Sequence, residues 1–238
     1  MVIPGNLPPR GRRRERKDAV IRILLDRNLE GLFALLDEDH GTMQVLQSLL
    51  FEKDDLLRWR AMEALGKEAR RAAAQDPEPA RERIRKLIWL LNEESGNVAP
   101  NAAVAIGAIL GELPNLIPEY GRILASYLDE PSFRRGVAWS VARIAVLNPR
   151  PFGEITTDLL ESLMDGDPYV RACTAITLGA LGKGQAAMES GTGARDEAWI
   201  LLYDFERGVL KRTIVGRVAQ AVAEGRDLPG LIAGGLTE

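Results

Sequence analysis

The sequence predicts an all-helical fold of stacked helix hairpins, and three observations carry that expectation. Hydrophobic residues fill 46% of the 238 positions but aromatic residues only 5%, a balance led by alanine and leucine, which favour helix. Long stretches space their apolar residues three and four positions apart, the signature of one helix face. The segment VRACTAITLGALG, from Val170 to Gly182, recurs in outline along the chain, and recurrence at a period of this size marks a solenoid.

The recurring segment justifies its own helix. Asp167-Pro168 supplies a capping acceptor and a proline at a first-turn position where its missing N–H costs nothing. Ala172, Ala175 and Gly179 leave room for a neighbouring helix, and Val170, Leu178 and Leu181 form the packing stripe. Aligning Val170 with Leu57, Val98, Phe133 and Leu210 repeats the frame in steps of roughly 41, 35, 37 and 40 residues. Arg58, Arg134, Arg171 and Lys211 follow the anchor, with Ala99 breaking the pattern. Nine positions past each anchor stands a small residue: Gly66, Gly107, Ala142, Gly179 and Ala219.

A second helical stretch precedes each of these. Met43 to Phe51, Ile84 to Leu91, Tyr120 to Leu128, Leu159 to Met164 and Ala198 to Phe205 serve in turn, so each unit is a hairpin that buries its stripes by stacking on its neighbours. The expected organisation is one repeat domain over residues 18–238, opened by a short helical cap at 18–37. Residues 1–17 form a flexible basic segment, with Arg10, Arg12, Arg13, Arg14, Arg16 and Lys17 in eight positions. That run reads as the solvated start of the first helix. The glycine-rich LPGLIAGGLTE is expected to fray.

Composition excludes several functions. The net charge of −3 gives no reason to expect nucleic acid as partner. The single cysteine, Cys173, excludes an intrachain disulfide framework and fits a cytoplasmic protein. The N-terminal stretch lacks the apolar core and cleavage site of a secretory signal, and the longest apolar run, Ala102 to Leu110, is far short of the roughly 20 residues that span a bilayer. One histidine, His40, cannot build a histidine-rich metal site, so no metal and no cofactor are expected. Cys173 stands far in sequence from His40, which leaves no Cys–His pair, and the glycine-rich 189–197 stretch lacks the Gly-Lys-Ser/Thr of a phosphate loop. No catalytic residue is expected.

VRACTAITLGALG resembles the HEAT-like repeat of the phycobilisome lyases, and the resemblance runs from about residue 41 to 224. LLRWRAMEALGK at 56–67, WLLNEESGNVAPNAAVAIGAI at 89–109 and FRRGVAWSVARI at 133–144 resemble an uncharacterised HEAT-like family of anaerobic sulfur- and metal-respiring bacteria. In the middle segment that family tends to carry Trp-Arg where this chain has Pro100-Asn101. The resemblance implies a HEAT-like α-α superhelix of about five hairpins, with the second helices lining its concave side. It brings no assigned activity.

Positions two, three, six and ten past the anchor fall on one face of each second helix. They place Trp59, Arg60 and Glu63, then Asn101, then Arg135, Trp139 and Arg143, then Arg212 on the concave face. Exposed tryptophans among arginines have the composition of binding hot spots, and guanidinium forks suit carboxylates. The expected function is a non-enzymatic interaction or scaffold module that binds an acidic peptide or protein segment there. The opposing reading packs the tryptophans over adjacent repeats. The alternative class is an enzyme or accessory protein, resembling either a bilin lyase or an alkylpurine DNA glycosylase. The second of these would want a basic groove and an aspartate, and no aspartate stands on the concave positions.

Overall fold

The computed structural model describes residues 9–92, 100–189, 193–226 and 232. A two-helix cap, α1 (Pro9–Leu25) and α2 (Leu29–Glu38), opens the chain. Outer helices α3 (Gly41–Ser48), α5 (Glu78–Asn92), α7 (Ile117–Ala125), α9 (Thr156–Ser162) and α11 (Gly184–Glu189) then alternate with inner helices α4 (Asp55–Ala72), α6 (Pro100–Glu112), α8 (Arg134–Ala145), α10 (Pro168–Ala180) and α12 (Val215–Ala223). Each inner helix packs on the next, from α4 through to α12. The result is an all-α, HEAT-like solenoid.

The repeated positions have physical reasons. The small residue nine past the anchor sits where inner helices touch: a Cβ on Gly66 would stand 2.6 Å from the Ala108 carbonyl oxygen, and one on Gly107 would stand 2.8 Å from the Ser140 Cα. At the latter contact the Ser140 hydroxyl donates to the Ala103 carbonyl at 2.8 Å, fully buried. The arginine after the anchor has the same task in three units. Arg58 donates to the Glu52 carbonyl at 2.9 Å, Arg134 to Leu128 at 2.9 Å and Arg171 to Asp165 at 2.7 Å. Each reaches six residues back and ties the inner helix to the end of the chain entering it. Asp54 and Asp167 cap α4 and α10 by accepting from the backbone N–H groups of Leu57 and Tyr169, each at 2.8 Å.

Two expectations give way. The helix expected over Ala198 to Phe205 is strand β1 (Trp199–Asp204), paired antiparallel with β2 (Val209–Ile214) from Trp199↔Ile214 to Asp204↔Val209. Gly208, at φ +66°, takes the left-handed turn position, and its N–H donates to the Asp204 carbonyl at 2.6 Å. Val209, Thr213 and Ile214 are β-branched, which suits the strand that follows. The anchor Leu210 therefore lies in a strand, and α11 takes the outer place of the fifth unit beside α12. At the other end, α1 already starts at Pro9, so the basic run is the start of the first helix, as its charge pattern suggests, and the flexible segment expected over 1–17 is helical from Pro9, with Lys17 paired to Glu52 at 3.0 Å and Arg16 to Asp39. Residues 1–8, the anchor Val98 and nearly all of the C-terminal glycine-rich stretch lie outside the described residues. Among the described residues no single helix is long and apolar enough to cross a membrane.

Candidate functional site

The hairpin lies across the inner helices, and this decides where the expected site residues stand. Trp59 and Trp139, expected to face solvent, are 9% and 1% exposed. Trp139 meets Trp59 edge-on at 4.8 Å and stacks on Phe205 at 6.0 Å, while Trp59 stacks on Tyr203 at 5.7 Å. Indoles on α4 and α8 are thus roofed by aromatics of the hairpin. The burial arises from a segment more than 60 residues away, not from the adjacent repeats alone.

Three more expected residues serve the same contact. Glu63, nearly buried, accepts from the Tyr203 hydroxyl at 2.5 Å and pairs with Arg27 at 2.7 Å. Burial, and then the Glu63 carboxylate, push the Tyr203 hydroxyl well above the usual tyrosine range, so it stays a donor. Arg143 sets its guanidinium 3.9 Å from the Phe205 ring centre and 3.6 Å from Glu112. Burial pulls its pKa down to about 10 against the pull of Glu112 and Glu63, which leaves it charged at neutral pH. Arg60 donates through Nε and a terminal nitrogen to the Gly208 carbonyl at 3.1 and 3.0 Å, and through its other terminal nitrogen to Leu24 at 3.2 Å. Arg27 completes the clasp with bonds to the Phe205 and Glu206 carbonyls at 2.8 and 2.9 Å.

The hairpin tip is held by Asp204 as well. Its carboxylate accepts from the N–H groups of Glu206 and Arg207 at 3.0 and 2.9 Å and pairs with Lys211 at 2.9 Å. Burial raises its pKa, but the Arg207 N–H, the Lys211 ammonium and the Glu206 N–H outweigh burial and hold it below the ordinary 3.8. A carboxylate depressed on folding stabilises the fold above pH 3.8, and that contribution is lost as pH falls through the lower folded value. Acidification below about pH 4 is therefore expected to loosen the tip and shift tryptophan emission to the red. Asp204→Asn should flatten that step, and an identical acid response in both proteins would refute the assignment.

Beside the hairpin, between β1, β2 and the starts of α4, α6, α8 and α10, opens a cleft of about 420 Å³. Trp59, Asn101, Arg135, Trp139 and Arg212 from the expected set line it, with Arg58, Asp55, Tyr169, Trp199 and Leu201. Trp59 and Trp139 therefore belong both to the roofed region and to the open one. Two of the cleft's three arginines are already paired, Arg58 with Asp55 and Arg135 with both Asp167 oxygens at 2.8 Å. Arg212 instead lies 4.2 Å from the ring centre of Trp199, which is 57% exposed, and has no carboxylate partner among the described residues. Asn101 donates to the Leu50 carbonyl, fixing α6 to the turn before α4.

Cys173 is fully buried, and burial pushes its thiol well above the usual range, so it is no nucleophile in this state. Among the described residues no three His, Cys, Asp or Glu side chains gather as a metal site. Arg27, Arg58, Trp199, Leu201, Tyr203 and Phe205 stand outside the expected site residues. For the last four the signal was the pair of apolar runs flanking Asp204-Phe205-Glu206-Arg207-Gly208, a hairpin pattern, whereas Arg27 and Arg58 carry no such signal.

Residues 131–181, which hold α8, α9 and α10, match the family model of the HEAT-like repeat. HEAT-like repeats are generally protein-interaction modules, and stacked repeats offer extended binding faces. The chain is also 29% identical over 139 residues to an uncharacterised protein of Archaeoglobus fulgidus, an alignment covering 58% of this chain and 73% of that protein. The HEAT-like match falls on Arg135, Trp139, Arg143 and Tyr169, so part of the cleft and part of its roofed extension belong to the repeat itself.

Proposed function

We propose that this chain is a non-enzymatic, cytoplasmic interaction module that binds an acidic segment of a partner protein in the cleft beside its hairpin. The observation that carries this reading is Arg212, held against the exposed Trp199 with no carboxylate of its own among the described residues. A guanidinium stacked on an aromatic face keeps its donor fork free for an incoming carboxylate. Arg58 and Arg135 stand on the same lining but are paired with Asp55 and Asp167, so the cleft's one unpaired charge among the described residues is the Arg212 guanidinium, which favours an anionic occupant. The cleft volume suits a few side chains of an extended segment. The chain's negative net charge argues against long phosphate tracks.

The test titrates a glutamate-rich peptide and its glutamine counterpart against the protein, read by tryptophan emission. The acidic peptide is expected to bind more tightly, and Arg212→Ala to weaken it by about 10- to 150-fold, in line with about 1.5–3 kcal/mol for a bond to a charged group. Equal binding of the two peptides, or no change in Arg212→Ala, would overturn the reading.

A further inference from the structure

We propose that the roofed region bounded by Trp59, Glu63, Trp139 and Arg143 is a docking groove for a partner segment of the pattern Tyr-x-Phe. The β1–β2 hairpin occupies it as a resident stand-in that such a segment displaces. This rests on the cleft being a peptide site, of which the groove is the inward continuation through the shared Trp59 and Trp139.

The groove floor sets two charged side chains among core residues. Glu63 and Arg143 are both ionisable and both nearly buried, and the Arg143 Nε finds no acceptor among the described residues. Charges under a permanent cover carry a desolvation cost that apolar residues of the same volume avoid. In a groove that is alternately covered and wet, the same charges are hydrated whenever the cover leaves, so exposure is tolerated.

The cover itself is an addition to the helix stack. α12 packs on α10, and α11 on α12, so the row of inner helices continues without the two strands, while Ile200 and Leu202 of β1 are buried against it. A two-stranded sheet has little stability of its own, and this one leaves Trp199 and Leu201 57% and 42% exposed toward the cleft. Its inner end is instead recognised as a ligand is. Tyr203 and Phe205 insert two residues apart, Glu63 takes the tyrosine hydroxyl, and Arg27 and Arg60 bind the carbonyls of Phe205, Glu206 and Gly208. Backbone carbonyls are read without regard to side chain, so the groove selects the two aromatics and accepts variation around them. Arg27 holds a left-handed φ of +51°, a conformation that favours glycine or asparagine. An arginine kept in that conformation supplies the clasp.

A tethered occupant competes at an effective concentration of millimolar order, and apparent affinity falls with the fraction of open groove. A synthetic peptide with the sequence of residues 200–210 is titrated against the full chain and against two variants that weaken the resident, Tyr203→Ala/Phe205→Ala and Gly208→Val. The second acts through the left-handed turn and through the Arg27 side chain that a Cβ would meet. Both variants are expected to keep their helical circular dichroism and to bind the peptide at least tenfold more tightly than the wild type. A peptide with alanine for both aromatics should lose this gain. Helical variants that gain no affinity overturn the proposal, and so do variants that lose their cooperative helical transition, because the hairpin is then part of the core. The glutamate-rich peptide is run alongside: if it binds while the aromatic peptide shows no gain, displacement fails and the acidic cleft stands, whereas loss of both removes the cleft reading too.

Discussion

Trp139→Ala is expected to lower stability by about 3–5 kcal/mol, the range for deleting a large aromatic from a packed interior. The indole is 1% exposed and meets three side chains: Trp59 from α4, Phe205 from the hairpin tip, and the Arg143 guanidinium one turn on along α8. Alanine removes the transfer free energy of the ring and leaves a void that helices tied by buried contacts on both sides cannot close. Two aromatic contacts, each worth about 0.5–1.5 kcal/mol beyond area, go with it. Against a typical total of about 5–15 kcal/mol, the loss is a large share. Trp89, at 59% exposure on the outer helix α5, is the control, and its alanine variant should stay within about 0.5 kcal/mol of wild type. Urea midpoints read by helical circular dichroism check both, and equal losses would place Trp139 outside the core.

That contrast also marks what was legible in the sequence. The frame of anchor, arginine and small residue locates the four inner helices α4, α6, α8 and α10 because it follows from how one inner helix touches the next, a local rule repeated. Gly66 and Gly107 are small for helix approach, and Arg58, Arg134 and Arg171 each take the carbonyl six residues back. The fifth unit departs because Trp199 to Tyr203 is an apolar run too short for periodicity to distinguish strand from helix. The turn at Gly208 then decides. From that one departure follows the fate of the site. The repeat frame places the expected site residues on one face, but it counts only neighbouring helices and carries no term for a hairpin folded back from residues 199–214, on which Arg212 itself stands. Trp59, Glu63, Trp139 and Arg143 meet that hairpin, whereas Arg212, on it, keeps its open place beside Trp199.

Gly107→Ala is a sharper test of the same frame, because two effects of opposite sign meet there. Within a helix, alanine in place of glycine stabilises by about 1 kcal/mol through reduced backbone freedom. At this site the added Cβ would stand 2.8 Å from the Ser140 Cα, and closer still to that serine's side chain. Backbone on both sides is helical and cannot yield cheaply, so α6 and α8 must separate, straining the buried bond from Ser140 to Ala103. Overpacking of this kind costs about 1–3 kcal/mol, occasionally more. With backbone and not a flexible side-chain end in the way, the steric term wins, and the expected net loss is up to about 2 kcal/mol. Ser140→Gly removes the Cβ and hydroxyl that collide and should recover part of the loss in the double variant, a coupling that a double-mutant cycle reads directly. Gly153, with nothing within 4 Å of an added Cβ, supplies the comparison. If Gly107→Ala stabilises, or if Ser140→Gly adds its own cost without relief, the small residue nine past the anchor has some purpose other than helix approach.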